Sequence, residues 1–234
     1  MILEGFPHWG VDLLPRSSPA GLGGTLGPVS SRSPVVPSRS IVLALGSNLG
    51  DRLDILQGGV DAITAIPEVE VMTVSPVYET VPVGGPPQPD YLNAVLLART
   101  ALPSRTLLDR LHEVEARFDR VREIRWGPRT LDIDIVAVEG ERDDDPVLTL
   151  PHPRAHERSF VLAPWHDADP DAELPGHGPV AALLDAVGTE GIRRSPFGLR
   201  LPDPGEPGDP GEPGGHPGSA AEGEHPGPAG GDRP

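Results

Sequence analysis

The sequence predicts an α+β protein in which a ferredoxin-like β-α-β-β-α-β unit forms an antiparallel sheet with helices, followed by C-terminal helical additions. Four short runs of apolar or alternating residues predict strands, and two stretches between them repeat apolar residues at helical spacing. Gly and Pro account for 12 of the first 38 residues and 19 of the last 36. We therefore predict a disordered extension over 1–38, one folded domain over 39–198 and a disordered acidic Gly/Pro-rich tail over 199–234.

The first half of the folded region supplies the β-α-β-β part. Residues 40–45 form a short apolar run, which predicts a buried strand. A helix follows, which Asp51 opens and Pro67 ends. Its apolar residues recur on one helical face: Leu53, Leu56, Val60 and Ile63. Alternation over 69–79 and an apolar run over 91–99 predict the next two strands.

The second half completes the unit and adds helices. Residues 103–118 predict a helix whose apolar positions share one face: Leu107, Leu108, Leu111, Val114 and Phe118. Residues 131–138 form a strong strand pattern. An acidic turn over 143–146 and a short extended piece come next, and helices are predicted near 155–164 and 179–187.

Composition excludes several classes of protein. All 19 basic residues are Arg, and 35 acidic residues give a net charge of −16, which argues against non-specific binding to nucleic acid or to an anionic membrane. The sequence contains no Cys, so disulfides, thiolate metal sites and a Cys nucleophile are excluded. It has no apolar run of membrane-spanning length and no signal-peptide pattern at its start, so we expect a cytoplasmic protein.

Asp132 and Asp134 form the first candidate constellation. Residues two apart on a strand point to the same face, so the two carboxylates project side by side from an otherwise apolar strand. Their mutual repulsion is removed by a cation, and oxygen ligands suit Mg²⁺, which binds one or two carboxylates together with water and substrate phosphates. A solvated sheet face would give the same pattern, so the pair alone leaves both interpretations open.

An arginine cluster precedes this pair. Five of 13 consecutive residues are arginine: Arg117, Arg120, Arg122, Arg125 and Arg129. Arginine forms bidentate hydrogen bonds to phosphate oxygens and keeps its charge at neutral pH. Arg117 and Arg120 lie at the end of a predicted helix, where they would also complement the helix dipole. The combination of the loop arginines with the Asp pair favours a polyphosphate substrate.

Two further segments carry candidate ligand-binding residues. The segment 151–160 contains His152, Arg158 and Phe160, which suit phosphate oxygens or a nucleotide, and a rigid Pro-His-Pro turn is the alternative. Tyr91 and Asn93 share one strand face and pair a flat aromatic ring with an amide that both donates and accepts. They suit a planar heterocycle with an amide edge, although a core Tyr and a buried, hydrogen-bonded Asn would explain the same pattern.

Two other motifs are incomplete. The segment 46–50 joins a strand to a helix, as phosphate loops do, but it lacks the Gly-Lys-Ser/Thr ending and is not a G-x-G-x-x-G fingerprint. It therefore does not predict phosphate binding. No Ser lies in a G-x-S-x-G elbow, which disfavours a Ser/His/Asp hydrolase.

Taken together, the motifs resemble the 6-hydroxymethyl-7,8-dihydropterin pyrophosphokinase family of folate biosynthesis. The resemblance extends from about Ile41 to about Val187 and lies in four blocks, 44–50, 88–93, 125–134 and 151–162. It implies that 39–198 is a pyrophosphokinase domain, which transfers pyrophosphate from ATP to the pterin hydroxymethyl group and releases AMP. It also implies two Mg²⁺ ions held by Asp132 and Asp134.

The resemblance assigns a role to each matching position. The implied catalytic residues are Arg120, Arg122, Arg129, Asp132 and Asp134. The implied pterin-binding residues are Thr80, Val83, Tyr91, Asn93, Trp126 and Phe160. The implied ATP-binding residues are Glu115, Arg120, Arg122, Arg129, Thr149, His152 and Arg158.

Alternatives to this function lie in two classes. Another Mg²⁺-dependent phosphoryl or nucleotidyl transferase would release ADP or pyrophosphate in place of AMP, and a non-catalytic pterin- or nucleotide-binding module would release neither. The expected partners are ATP and the pterin, with no nucleic acid and no membrane. We expect a monomer, and association with neighbouring folate enzymes stays open.

Overall fold

The computed structural model describes residues 37–82, 88–118 and 130–202 of the chain. Ten strands lie in these residues: β1 (Arg39–Ser47), β2 (Val69–Val74), β3 (Tyr78–Thr80), β4 (Tyr91–Thr100), β5 (Asp132–Val138), β6 (Asp143–Asp145), β7 (Leu148–Leu150), β8 (Glu173–Leu174), β9 (Gly178–Pro179) and β10 (Ile192–Arg194). The main sheet has the order β10-β3-β4-β1-β5, with β2 also paired to β4. All these pairings are antiparallel, so the predicted ferredoxin-like α+β fold is confirmed.

Helices cover both faces of the sheet. The four α-helices of the described residues are α1 (Arg52–Thr64), α2 (Ser104–Arg117), α3 (Ser159–Ala168) and α4 (Val180–Val187). Leu43 of β1 packs in one core with residues of α1 and α2, whereas its neighbour Val42 packs in a second core with Trp165 of α3. This alternation follows from the period of two along a strand. None of these helices is long and apolar enough to cross a lipid bilayer.

The predicted strand over 69–79 is two strands in the structure. Pro76 separates β2 from β3 and has no backbone N–H to donate to a ladder. At the break, the Ser75 amide donates to the Val95 carbonyl at 2.9 Å, and the Val95 amide donates to Ser75 Oγ at 2.8 Å. Because this side chain replaces a backbone partner, β2 and β3 both pair with the continuous strand β4.

Two predicted elements in the second half differ in detail. The acidic residues predicted to form a turn instead form strand β6, which pairs with β7 in a small hairpin. The helix predicted near 155–164 is a 3-10 turn (Ala155–Glu157) followed by α3. Arg158 separates them in an extended conformation with φ −109° and ψ 97°, and this break directs its side chain independently of either helix. The second predicted helix corresponds to α4.

The packed chain continues beyond the predicted boundary at 198. Leu199 and Leu201 pack against the core on the α1 side. The side-chain amide of Gln57 donates to the Arg200 carbonyl and accepts from the Arg200 amide, both at 2.9 Å. These contacts join the C-terminal segment to α1. Most of the predicted disordered extension and tail, residues 1–36 and 203–234, lies outside the described residues.

A hydrogen bond between Tyr78 and Asp167 connects β3 to α3 and predicts a pH effect. The Tyr78 hydroxyl donates to Asp167 Oδ2 at 2.8 Å, and burial together with this carboxylate raises the pKa of Tyr78 from 10.0 to about 12. A pKa raised on folding stabilises the protonated form. This contribution to stability is therefore complete below pH 10.0 and is lost as the pH rises through about 12.

Tyrosinate absorbance measures this effect directly, because the chain contains only two tyrosines. We expect wild-type protein to show an ionisation near pH 12 that is absent from Tyr78→Phe and moves towards 10.0 in Asp167→Asn. Circular dichroism at each pH ensures that folded protein is being titrated. Identical titration curves for wild type and Tyr78→Phe above pH 10.0 would contradict the assignment.

Candidate active site

The central feature of the site is a row of residues across three strands. Gly46 of β1 lies directly opposite Asn93 of β4 on one side and opposite Asp132 of β5 on the other. In the same way, Ala44 lies opposite Asp134. Residues directly opposite each other in antiparallel strands share a face. Both aspartates and Asn93 therefore lie on the sheet face that α3 partly covers.

Gly46 is the residue of this row that has no side chain. A Cβ atom at this position would lie 3.2 Å from Asn93 Oδ1 and 3.9 Å from Cδ1 of Tyr91. Even a methyl group would therefore press on the amide oxygen, and a larger side chain would press on the aromatic ring as well. Glycine at this position lets Asn93 and Tyr91 lie close over β1.

Arg158 brings the His152 segment to the Asp pair. Its Nη1 donates to Asp134 Oδ2 at 3.2 Å and lies 3.2 Å from His152 Nε2. His152 Nε2 is itself 3.9 Å from Asp134 Oδ2. The backbone amide of His152 donates to the Val136 carbonyl at 2.8 Å, which fixes this segment along the edge of β5. Residues that are 18 to 24 positions apart therefore share one cluster.

The histidine in this cluster is neutral at neutral pH. Burial lowers the pKa of His152 below its ordinary value of 6.5, and the nearby Asp134 carboxylate only partly opposes this. The Arg158 guanidinium lowers it further. Donors approach both ring nitrogens: the Arg154 amide donates to Nδ1 at 3.1 Å, and Arg158 Nη1 lies 3.2 Å from Nε2. A neutral imidazole has one acceptor nitrogen, so it accepts one of these two hydrogen bonds in either tautomer. The positive charge of the cluster therefore lies on Arg158, beside Asp134.

A second group of predicted residues lies along β4 and β3. Asn93 is buried, and its Nδ2 donates to Thr80 Oγ1 at 2.8 Å. This bond leaves Oδ1 as the amide atom nearest Gly46. Tyr91 shares the face of Asn93 and lies directly opposite Thr80, and its hydroxyl donates to Gln88 Oε1 at 3.1 Å. Three of the predicted pterin-binding residues therefore lie next to one another.

Phe160 lies in the first turn of α3, on the other side of the Arg158 cluster. The Arg158 guanidinium carbon is 5.5 Å from the centre of the Phe160 ring, which is cation–π distance. The side chain is partly exposed, as a residue must be if a ligand is to contact its ring. Arg158 thus links the aromatic ring to the Asp pair.

Glu115 and Thr149 were predicted to bind ATP, and in the structure each forms a hydrogen bond with the protein backbone. Glu115 of α2 is only 1% exposed, and its Oε1 accepts from the Ile133 amide at 2.9 Å. It holds β5 between the two aspartates. Thr149 Oγ1 donates to the Asp145 carbonyl at 3.0 Å within the β6–β7 hairpin. Their predicted contacts with ATP stay predictions.

Five predicted site residues lie outside the described residues: Val83, Arg120, Arg122, Trp126 and Arg129. Arg125 lies outside them as well. Arg117, the first residue of the arginine cluster, is the last residue of α2, where its charge complements the helix dipole.

Asn48 is a residue next to the site that the sequence did not single out. It is 1% exposed, and its Nδ2 donates to Gln88 Oε1 at 3.0 Å and to the Pro89 carbonyl at 3.2 Å. It thereby joins the β1–α1 loop to the segment before β4. In the sequence, Asn48 was only one polar residue of the loop over 46–50, and that loop was considered for phosphate binding alone.

The donor set fits Mg²⁺ that is bound together with a phosphate ligand. Within the described ranges, no group of three or more His, Asp or Glu side chains could hold a metal ion by itself. Asp132 and Asp134 offer two carboxylates on one face, and the Asp134 side chain is 41% exposed. Mg²⁺ commonly takes one or two carboxylates and completes its coordination with water and substrate phosphates.

Several known proteins are similar to this chain. Residues 42–170 match the family model described as 7,8-dihydro-6-hydroxymethylpterin-pyrophosphokinase. The chain is 41% identical over 156 residues to 2-amino-4-hydroxy-6-hydroxymethyldihydropteridine pyrophosphokinase of Pseudomonas aeruginosa, an alignment that covers 67% of this chain and 96% of that protein. A protein of the same name from Mycobacterium leprae is 41% identical over 178 residues, covering 69% of this chain and 91% of its own.

A solved structure supports the fold. Plasmodium falciparum HPPK-DHPS, wild type with STZ-DHP, has a TM-score of 0.53 at 13% identity, and the match covers 69% of this chain and 47% of that one. The chain thus spans about half the length of that structure, and at this identity the likeness concerns the fold alone. The family match and the similarity to these two pyrophosphokinases show that the chain belongs to the 7,8-dihydro-6-hydroxymethylpterin-pyrophosphokinase family.

Proposed function

We propose that the sheet face carrying Asp132, Gly46 and Asn93 is the active site at which this chain, an enzyme of the pyrophosphokinase family, transfers pyrophosphate from ATP to 6-hydroxymethyl-7,8-dihydropterin in folate biosynthesis. The observation that carries the proposal is the row itself. It sets a carboxylate that suits a metal–phosphate complex beside an amide that suits a heterocycle, with a glycine between them.

Asp132 and Asp134 would hold the magnesium, for which we propose two ions. Mg²⁺ supplies neutralisation of the phosphate charge when it is bound. The protein contributes two carboxylates whose spacing is set by one β-strand and whose backbone is held by Glu115 through the Ile133 amide. A rigid strand keeps these ligands in place without reorganisation during the reaction.

Arg158 would bind a phosphate of ATP while it remains beside Asp134. A guanidinium has five N–H donors, so one arginine can bridge a carboxylate and a phosphate. Its contacts with Asp134 and His152 pre-orient the side chain, which reduces the entropy lost on binding. The other proposed contacts to ATP come from Arg120, Arg122, Arg129, Glu115, Thr149 and His152.

Asn93 would recognise the amide edge of the pterin. Because its Nδ2 is bonded to Thr80 Oγ1, the Oδ1 atom is oriented as an acceptor for a pterin N–H group. Tyr91 and Phe160 would hold the flat ring between them, since both offer aromatic faces to a planar ligand. Thr80, Val83 and Trp126 complete the proposed pterin contacts.

In the proposed reaction, the pterin hydroxymethyl oxygen attacks the β-phosphorus of ATP in line. A new bond forms between this oxygen and the β-phosphorus, the bond from the β-phosphorus to the oxygen of the α-phosphate breaks, and AMP leaves. The hydroxyl proton passes to solvent water, so each turnover releases one proton. Binding both substrates on one rigid face makes the reaction effectively unimolecular, and this positioning is the largest contribution that the described residues can make.

The setting of this activity is part of the proposal. We place the enzyme in the cytoplasm as a monomer that binds neither nucleic acid nor membranes, consistent with its net charge of −16. Association with neighbouring folate enzymes stays open.

An assay of product identity tests the proposed function. Purified full-length protein with ATP, Mg²⁺ and the hydroxymethyl pterin should form AMP only when the pterin is present. Pterin-dependent ADP would instead indicate a phosphoryl transferase, and pyrophosphate a nucleotidyl transferase. Ligand binding without any nucleotide product would indicate a binding module.

Substitution of the aspartates tests the metal site. We expect Asp132→Asn and Asp134→Asn each to lower kcat by about 100-fold or more, because charge stabilisation is lost where charge develops in the transition state. Asp144→Asn, which neutralises an exposed acid on β6, should leave kcat unchanged and controls for net charge. Turnover close to wild type in both site variants would rule out this metal assignment.

Gly46 tests the pterin position. The methyl group of Gly46→Ala would lie 3.2 Å from Asn93 Oδ1, so we expect the KM for the pterin to rise about tenfold while the KM for ATP stays unchanged. Gly198→Ala is the matched control, because its added Cβ meets no atom within 4 Å. Steady-state kinetics with each substrate varied in turn measure the KM for the pterin and the KM for ATP separately. A Gly46→Ala enzyme with wild-type pterin KM would place the pterin elsewhere.

A further inference from the structure

Arg52, the first residue of α1, makes two hydrogen bonds that join the ends of two neighbouring strands. Its Nη1 donates to Glu79 Oε1 of β3 at 3.0 Å and to the Asp90 carbonyl, immediately before β4, at 2.7 Å. The side chains of Arg52 and Glu79 are only 30% and 15% exposed. One guanidinium nitrogen therefore binds both flanks of the connection between these strands.

Both partners of Arg52 directly precede a residue of the proposed pterin site. Glu79 precedes Thr80, and Asp90 precedes Tyr91. Thr80 and Tyr91 lie directly opposite each other in the β3–β4 ladder. Because successive strand residues point to opposite faces, Glu79 is directed away from the pterin face. Arg52 therefore acts on this pair from the opposite face of the sheet and touches no proposed substrate atom.

We propose that Arg52 is a positioning residue for the pterin, which holds Glu79 and Asp90 together and so sets the separation of Thr80 and Tyr91. This inference rests on the proposed function of that site. Asn48, in the loop between β1 and α1, supports the same segment, since it donates hydrogen bonds to Gln88 and to the Pro89 carbonyl. Asn48 and Arg52 thus hold residues 88–90, which directly precede β4.

A second arginine on Glu79 distinguishes positioning from simple charge pairing. Arg193 of β10 also forms an ion pair with Glu79, but its side chain is 71% exposed, and its contact joins β10 to β3 without reaching β4. Exposed ion pairs contribute little to stability. Arg52 and Arg193 therefore carry the same charge and pair with the same carboxylate. They differ in that Arg52 also donates to the Asp90 carbonyl.

Kinetics of Arg52→Gln and Arg193→Gln test this role in the full-length enzyme. We expect Arg52→Gln to raise the KM for the pterin about tenfold, which corresponds to about 1.4 kcal/mol, while the KM for ATP stays within about twofold of wild type. Arg193→Gln should leave both constants unchanged. Glu79→Gln keeps the shape of the side chain and weakens its hydrogen bond with Arg52, so the KM for the pterin should also rise while the KM for ATP does not. This variant provides the test if Arg52→Gln does not fold.

Several outcomes would overturn the proposal. If Arg52→Gln and Glu79→Gln keep the pterin KM of wild type, Arg52 does not position the pterin. If the two KM values rise together, or if kcat alone falls in proportion to the folded fraction, its role is only structural. The wild-type assay separates this from failure of the proposed function, since wild type that forms no pterin-dependent AMP refutes the function, whereas active wild type with insensitive variants refutes only the role of Arg52.

Discussion

The pairing of β1 with both β4 and β5 is the constraint on which the rest of the site depends. Strand β1 lies between β4 and β5, and the register of its two ladders places Gly46 between Asn93 and Asp132. A shift of one residue in either ladder would turn an entire set of side chains to the opposite face. The apolar residues on both faces of β1 prevent such a shift, since Val42 and Leu43 belong to different cores. The same packing that stabilises the fold therefore aligns the proposed metal and pterin ligands.

Local electrostatics at the site differ from the charge of the whole protein. The chain carries a net charge of −16, yet Asp134 lies beside Arg158, and His152 Nε2 lies 3.2 Å from the same arginine. Two carboxylates on one strand repel each other, and a positive group next to one of them reduces that cost until a cation binds. An acidic surface is thus compatible with binding Mg²⁺–polyphosphate, because the complementary charges are concentrated at one place.

The C-terminal part of the chain completes the site from the second face of the sheet. Arg158 and Phe160 lie at the start of α3, which packs through Trp165 on the face that carries the Asp pair. The Tyr78–Asp167 hydrogen bond joins the same helix to β3. The C-terminal additions to the ferredoxin-like unit therefore carry two of the proposed ligand-binding side chains and also bury the second face.

The sequence by itself determined the main strands and helices of the first half of the fold and the candidate residues for the chemistry. Strand and helix periodicity is local, so the patterns around β1, α1, α2 and β5 predicted these elements within one or two residues, and the period of two placed Asp132 and Asp134 on one face. Family-specific blocks in the sequence indicated the reaction that the relatives of this chain carry out.

Only the tertiary structure decided which distant residues meet. The row from Asp132 through Gly46 to Asn93 depends on registers between strands far apart in sequence. The division of the strand at Pro76 and the burial of Glu115 against the Ile133 amide likewise depend on partners from distant segments. So does the bridge that Arg52 makes between two strands. A local pattern records the preference of each segment, whereas pairing and packing between segments are selected by the free energy of the whole fold.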